Sequence, residues 1–268
     1  MLQNFVDHSY LHRHRIVEMN SEQMIADNLD RLEEKILSVC RRSGRSRDEI
    51  KLMAVSKTHP AEAIAAGFGA GLRLFGENRV QEFQQKSQDL NGLGIAVGSG
   101  AEDAGNAVSV HFIGHLQSNK AAKAAEIFSG IDTVDSLKLV LRLEEAAKRL
   151  KKRLPILLEI KLSHEAAKTG LEPGSQELAE LLEQLPDLGH LQMHGLMTVA
   201  PLDENPETAR ECFRSLRLLR EELARRHPQL DFGELSMGMS GDFEIAIEEG
   251  STMVRIGTAI FGARPKLV

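Results

Sequence analysis

The chain has 268 residues, 42% hydrophobic and 27% charged, with 33 basic and 39 acidic side chains for a formal charge of −6. That length is near the upper end of what one core supports, so one large α/β unit or two small domains fit, and the negative balance leaves no electrostatic footprint for nucleic acid. The N-terminus has no secretory apolar region and no apolar run approaches the ~18 residues of a membrane span; Cys40 and Cys212 are too far apart for a CxxC or cysteine zinc motif, so a cytoplasmic protein with buried thiols is expected.

Residues 1–19 show no sustained helical or strand period and are expected to be a disordered extension carrying His8, His12 and His14. From Ser21, the spacing of Ile25, Leu29, Leu32, Ile36 and Val39 predicts a helix that stops at Gly44. Short apolar runs then predict strands at 51–55, 72–75, 109–113, 131–134, 155–160, 191–197, 232–236 and 253–256. Helical patterns lie between them, clearest at 136–152 (Leu139, Leu143, Ala146, Leu150) and 206–226 (Cys212, Leu216, Leu219, Leu223). The second opens on Asn205-Pro206, an N-cap followed by proline at the first helical position. The glycine-rich stretch 91–106 has neither period and reads as a flexible surface loop, on the face of the molecule away from the chemistry.

Strand–helix alternation demands a parallel sheet, and eight such units in about 250 residues have the size of a TIM barrel. The predicted fold is therefore α/β, a single TIM-like (β/α)8 barrel over 20–268, with helix 21–43 closing the ring in place of an eighth outer helix. A doubly wound sheet is the rival, but GFGAG at 67–71 precedes a strand instead of following one.

In a barrel the chemistry sits at the C-terminal strand ends. The first strand runs into Ser56-Lys57-Thr58, the second ends in Gly76-Glu77-Asn78, and the third ends in Gly114-His115. The last two end in Met237-Gly238-Met239-Ser240-Gly241 and Arg255-Ile256-Gly257-Thr258, where this fold usually holds phosphate on backbone N–H groups. A lysine at the mouth of strand one suits Schiff-base chemistry with an aldehyde that carries a phosphate. Its amine, with an ordinary pKa of about 10.4, must be deprotonated to attack, and Arg255 could supply the positive field that helps.

The segments AVSKTHP, FGENRVQEF, HFIGHLQSNK, HGLMTVAP and SMGMSGDFEIAIEEGSTMVRIGTAIFG occur in order across about 21–264. Together they resemble the YggS/PROSC family of pyridoxal phosphate homeostasis proteins. The resemblance implies a TIM-like barrel similar to the N-terminal domain of bacterial alanine racemase, with pyridoxal 5′-phosphate as cofactor. It implies that Lys57 holds the cofactor as an internal aldimine, that Asn78 lies beside the ring and that Arg255 faces the pyridine nitrogen. Ser240, Gly257 and Thr258 would hold the phosphate, with Met237 and Gly238 completing the cofactor-binding set; no catalytic or metal-ligating residue is assigned.

A guanidinium against the ring nitrogen disfavours a pyridinium and makes the ring a poorer electron sink. Alanine racemase takes its second acid/base from a tyrosine of a C-terminal domain. Here the one tyrosine, Tyr10, is in the N-terminal extension, and no such domain is expected after the barrel, the sequence running to Val268. His115 and His194 could substitute, but are expected to be hydrogen-bonded structural residues. The reading is thus a non-enzymatic cofactor buffer or carrier, with apo pyridoxal phosphate enzymes as recipients, no nucleic-acid or membrane partner, and a monomeric or weakly dimeric state. The alternatives are an amino-acid racemase with an unidentified second base and a Schiff-base aldolase acting on a phosphosugar.

Overall fold

Short β-branched and aliphatic runs, each bounded by a helix cap or a glycine turn, form parallel strands. The computed structural model describes residues 8–98, 106–163 and 169–263, with side chains from Glu22 onward. The strands are β1 (Lys51–Val55), β2 (Leu74–Glu77), β3 (Ala96–Val97), β4 (Ala107–Phe112), β5 (Gly130–Val134), β6 (Leu154–Glu159), β7 (Leu191–Met197), β8 (Glu234–Ser236) and β9 (Met253–Ile256). Their order is β2-β1-β9-β8-β7-β6-β5-β4, and pairing of β2 with β4 closes the ring. All pairings are parallel, as the crossovers require, and the fold is the expected TIM-like barrel.

The helices are α1 (His8–Ser43), α2 (Ala61–Gly69), α3 (Val80–Gly92), α4 (Ala121–Ile127), α5 (Leu137–Leu150), α6 (Gln176–Gln184), α7 (Pro206–Arg226), α8 (Phe243–Glu248) and α9 (Thr258–Phe261). Amphipathic spacing explains which face each buries: Leu139, Val140, Leu143, Ala146 and Ala147 of α5 are buried, as are Cys212, Phe213, Leu216 and Leu223 of α7. Side-chain caps start three of the helices, with Ser136, Ser175 and Asn205 accepting from Leu139, Leu178 and Glu207 N–H. The helix α1 packs against α2, α8 and α9, where an eighth outer helix would stand. Its Ile25, Leu32, Ile36 and Val39 join the core, Asn28 donates to the Ile260 carbonyl at 2.8 Å, and Arg42 pairs with Glu244 and Glu248 at 2.8 Å.

Several boundaries differ from the sequence reading. The first helix starts at His8 instead of Ser21; residues 1–7, and the side chains of His8, Tyr10, His12 and His14, lie outside the described residues. The second strand begins at Leu74 because the preceding residues finish α2, with Leu72 N–H donating to the Gly67 carbonyl and Gly71 in a left-handed turn. Within 91–106, the first two residues complete α3 and Ala96–Val97 pair with Ala107 and Val108, so this stretch is partly ordered sheet edge; residues 99–105 lie outside the described residues. Among the described residues no helix is long and apolar enough to cross a membrane. Cys40 and Cys212 are both buried thiols.

Candidate functional site

Ring order decides which loops meet. Because β2, β1, β9 and β8 are consecutive, the segments bearing Asn78, Lys57, Gly257–Thr258 and Gly238–Ser240 adjoin at one mouth of the barrel. The register fixes their depth: Met53 pairs with Arg255, Ala54 with Ile256, and Val55 with Gly76. Lys57 leaves β1 two residues past its end and is half-buried. It sits between the fully buried Ser56 and Thr58, whose φ of 68° is left-handed.

Arg255 is 4% exposed, which demands compensation for a permanent charge. Its Nη1 donates to Ser236 Oγ at 2.7 Å and its Nη2 to the Thr198 carbonyl at 2.8 Å. Burial pulls the guanidinium below its usual range, and the carboxylates of Asp132, Asp242 and Glu159 oppose that pull. Burial pushes the Asp242 and Glu159 carboxyls up, Asp135 adding to the rise at Glu159, and the Met239 N–H at Asp242, the Thr169 hydroxyl at Glu159 and the Arg255 charge at both offset only part of it.

The loop after β8 folds on itself. Gly238 has φ 96°, and a Cβ there would stand 2.5 Å from that of Ala246, so a side chain would push α8 away. The Gly238 carbonyl accepts from Arg255 N–H at 3.0 Å, which ties the loop to β9. Asp242 accepts from Met239 N–H, while the Met239 carbonyl accepts from the N–H groups of Asp242 and Phe243. That leaves the N–H groups of Ser240 and Gly241 without a hydrogen bond among the described residues. Across the cleft, the N–H groups of Thr258 and Ala259 are likewise unbonded, while the Gly257 carbonyl takes Ile260 and Phe261 at 2.9 Å. Four donors without acceptors, two exposed hydroxyls (Ser240, Thr258) and a buried cation are a setting for an anion.

On the other side of Lys57, Asn78 is half-buried and its Oδ1 is buried with no partner. An amide oxygen left so costs about 1–3 kcal/mol, which a ligand donor would recover. Gly114, at the end of β4, makes room for it: a Cβ there would lie 2.4 Å from the Asn78 carbonyl oxygen.

Met237 packs in the core, and His194 is the hydrogen-bonded structural residue that the sequence reading expected. Met237 is fully buried, with its N–H donating to the Met253 carbonyl and its own carbonyl accepting from Ser251 Oγ at 2.8 Å, so both its main-chain polar groups are already bonded and its side chain anchors the loop. His194 lies mid-strand in β7, with Nδ1 3.0 Å from Asp231 Oδ2 in the segment entering β8, towards the barrel end opposite Lys57. His115 does reach the mouth, where its Nδ1 lies 3.2 Å from Asp135 Oδ2. Sequence reading missed Asp132, Glu159 and Asp242, which surround Arg255. The signal was present: a charged residue inside an apolar strand run must find a partner, and Asp242 directly precedes α8 as its cap.

The family model of the alanine racemase N-terminal domain matches residues 28–265. A pyridoxal phosphate homeostasis protein of Haemophilus influenzae is 40% identical, covering 90% of this chain and 96% of that protein. Its counterpart in Escherichia coli (strain K12) is 41% identical, covering 90% and 97%. The structure of PipY from Synechococcus elongatus PCC7942 with PLP bound is 39% identical, with a TM-score of 0.74, covering 89% of this chain and all of that one. An alanine racemase of Clostridium difficile shares the fold at 15% identity and a TM-score of 0.66, covering 91% of this chain and 58% of its own. Barrel order, family model and relatives agree: the chain belongs to the pyridoxal phosphate homeostasis proteins, a family built on the alanine racemase N-terminal domain.

Proposed function

We propose that this chain binds pyridoxal 5′-phosphate at the mouth formed by β2, β1, β9 and β8, and buffers and delivers it without strong catalysis of its own. The observation that carries this is one arc of the barrel that combines a lysine, a buried guanidinium, four unbonded N–H groups and an orphaned amide oxygen. Each matches a part of that molecule: an aldehyde, a ring nitrogen, a phosphate and a ring hydroxyl.

When bound, the cofactor would supply an aldehyde able to take up a primary amine reversibly, with water lost on capture and returned on release. Lys57 is the amine that would hold it. The N–H groups of Ser240, Gly241, Thr258 and Ala259, with the Ser240 and Thr258 hydroxyls, would bind phosphate oxygens on the two loops that Gly238 and Gly257 shape. Asn78 Oδ1 would accept from the ring hydroxyl. Arg255 would donate to the ring nitrogen and, being charged, would keep a proton off it, which disfavours carbanion chemistry. His115, already paired with Asp135, is held as a structural group.

The cofactor-binding unit is residues 20–268, working in the cytoplasm as a monomer or weak dimer, and its recipients are apo enzymes that need this cofactor. Loaded protein should be yellow, and borohydride should fix the cofactor on Lys57. Lys57→Ala should lose both colour and label; full colour in that variant would remove Lys57 from the site. Mixing loaded protein with an apo enzyme should restore activity faster than free release allows. Racemisation of any amino acid, lost on Lys57→Ala, would overturn the carrier reading.

A further inference from the structure

The two peptide groups that flank Lys57 are each gripped by a side chain of α3. The Ser56 carbonyl accepts from Lys86 Nζ at 3.1 Å, and Thr58 N–H donates to Glu82 Oε1 at 2.8 Å. Glu77, fully buried at the end of β2, completes the grip: its Oε1 accepts from Lys86 Nζ at 2.8 Å and from Ser56 Oγ at 2.7 Å. Lys86 also lies 2.8 Å from Glu82 Oε1 and is itself buried. Burial pushes the Glu77 carboxyl up and the Lys86 charge draws it back; for Glu82, Lys86 and Thr58 N–H outweigh burial and the shift is downward.

The conformation being held is one the chain would not choose alone. Thr58 has φ 68°, a region that β-branched residues avoid, and its Oγ1 is buried with no partner. Nothing in the Thr58 side chain rewards that turn, so the surroundings impose it. A buried lysine shared between two carboxylates is a demanding arrangement for a merely structural link between β2 and α3. Its hydrogen bonds end on the backbone at either side of one side chain, Lys57.

We infer that Glu77, Glu82 and Lys86 are positioning residues that set the direction of the Lys57 amine through its two flanking peptide groups. The inference rests on the cofactor reading above. It concerns reach to the aldehyde, so it separates ligands that differ only there.

The experiment compares pyridoxal 5′-phosphate with pyridoxine 5′-phosphate, its alcohol, on native protein, Glu82→Ala and Glu82→Gln. Glu82→Ala should weaken the aldehyde about tenfold and slow borohydride-trapped labelling of Lys57, while the affinity for the alcohol stays within about twofold. Glu82→Gln keeps an oxygen for Thr58 N–H and should recover most of the loss. Lys86→Met should act more strongly, but leaves Glu77 buried and unpaired; should it fail to fold, the partly exposed Glu82 still decides. Equal loss for both ligands, or no loss for either, overturns the inference. Native protein that bound neither ligand would instead overturn the cofactor reading.

Discussion

The two halves of the barrel mouth differ in charge. The arc from β2 through β1 and β9 to β8 presents Lys57, Arg255 and unbonded N–H groups on small-residue loops. The arc from β4 to β6 carries Asp132 buried within β5, with Asp135 and Glu159 at the strand ends and His115 against Asp135. The basic arc is the side whose charge favours an anion, and Arg255, in β9, faces Asp132 and Glu159 of the acidic arc as well as Asp242 of its own. A permanent cation can be buried here because carboxylates of both arcs, Asp132 and Glu159 on one and Asp242 on the other, oppose its desolvation.

The largest break in that arrangement is Arg255→Leu. It leaves Asp132, Glu159 and Asp242 without their shared cation and unhooks Ser236 and the Thr198 carbonyl, so urea unfolding should show a loss of about 3–5 kcal/mol. Unchanged stability would mean that the halves are not coupled through this residue. Next, Gly114→Ala acts at the seam where β4 meets β2. The added methyl must displace the Asn78 backbone, and cofactor affinity should fall by about 1–3 kcal/mol in equilibrium titration, with little change in phosphate affinity.

Thr258→Val tests the basic half alone. Removing one hydroxyl should weaken pyridoxal 5′-phosphate about tenfold and leave phosphate-free pyridoxal unaffected; equal effects on both would move the phosphate elsewhere. The smallest effect is in the acidic half. Burial pulls the His111 ring down, but the Asp132 carboxylate 2.8 Å away prevails and the net shift is upward. A raised folded pKa means that this contribution is fully present below the unfolded value of about 6.5 and is lost as pH rises through the folded one. Urea midpoints of native protein should therefore decline over that alkaline range relative to His111→Gln, and parallel curves would dismiss the pair.

Much of the fold was legible because strand and helix periods are local properties. The strand at 191–197 and the helix at 206–226 match β7 and α7, and Asn205-Pro206 caps the latter as expected. The shift of β2 to Leu74 was not legible, since Leu72 reads as strand until its N–H is seen closing α2. Lys57, Ser240, Arg255 and Thr258 stood out as polar or small residues at strand ends, where packing does not require them. Met237 lies inside the same motif, but spacing along the chain does not reveal that its side chain turns into the core. Glu77 and Lys86 were invisible as a pair: one belongs to a strand end and the other to a helix that reads as ordinary amphipathic surface.

By itself, the sequence determined the alternation of strands and helices, the absence of a strand–GxGxxG–helix unit, the family motifs and the chemical types at each strand end. Those depend on spacing and composition along the chain. Only the tertiary structure decided which strand ends are neighbours, because pairing of β2 with β4 and of β1 with β9 joins segments that are distant in sequence. It also decided which charges are buried together and which backbone groups remain without partners. Burial and hydrogen-bond satisfaction are properties of the closed ring, which spacing along the chain does not carry.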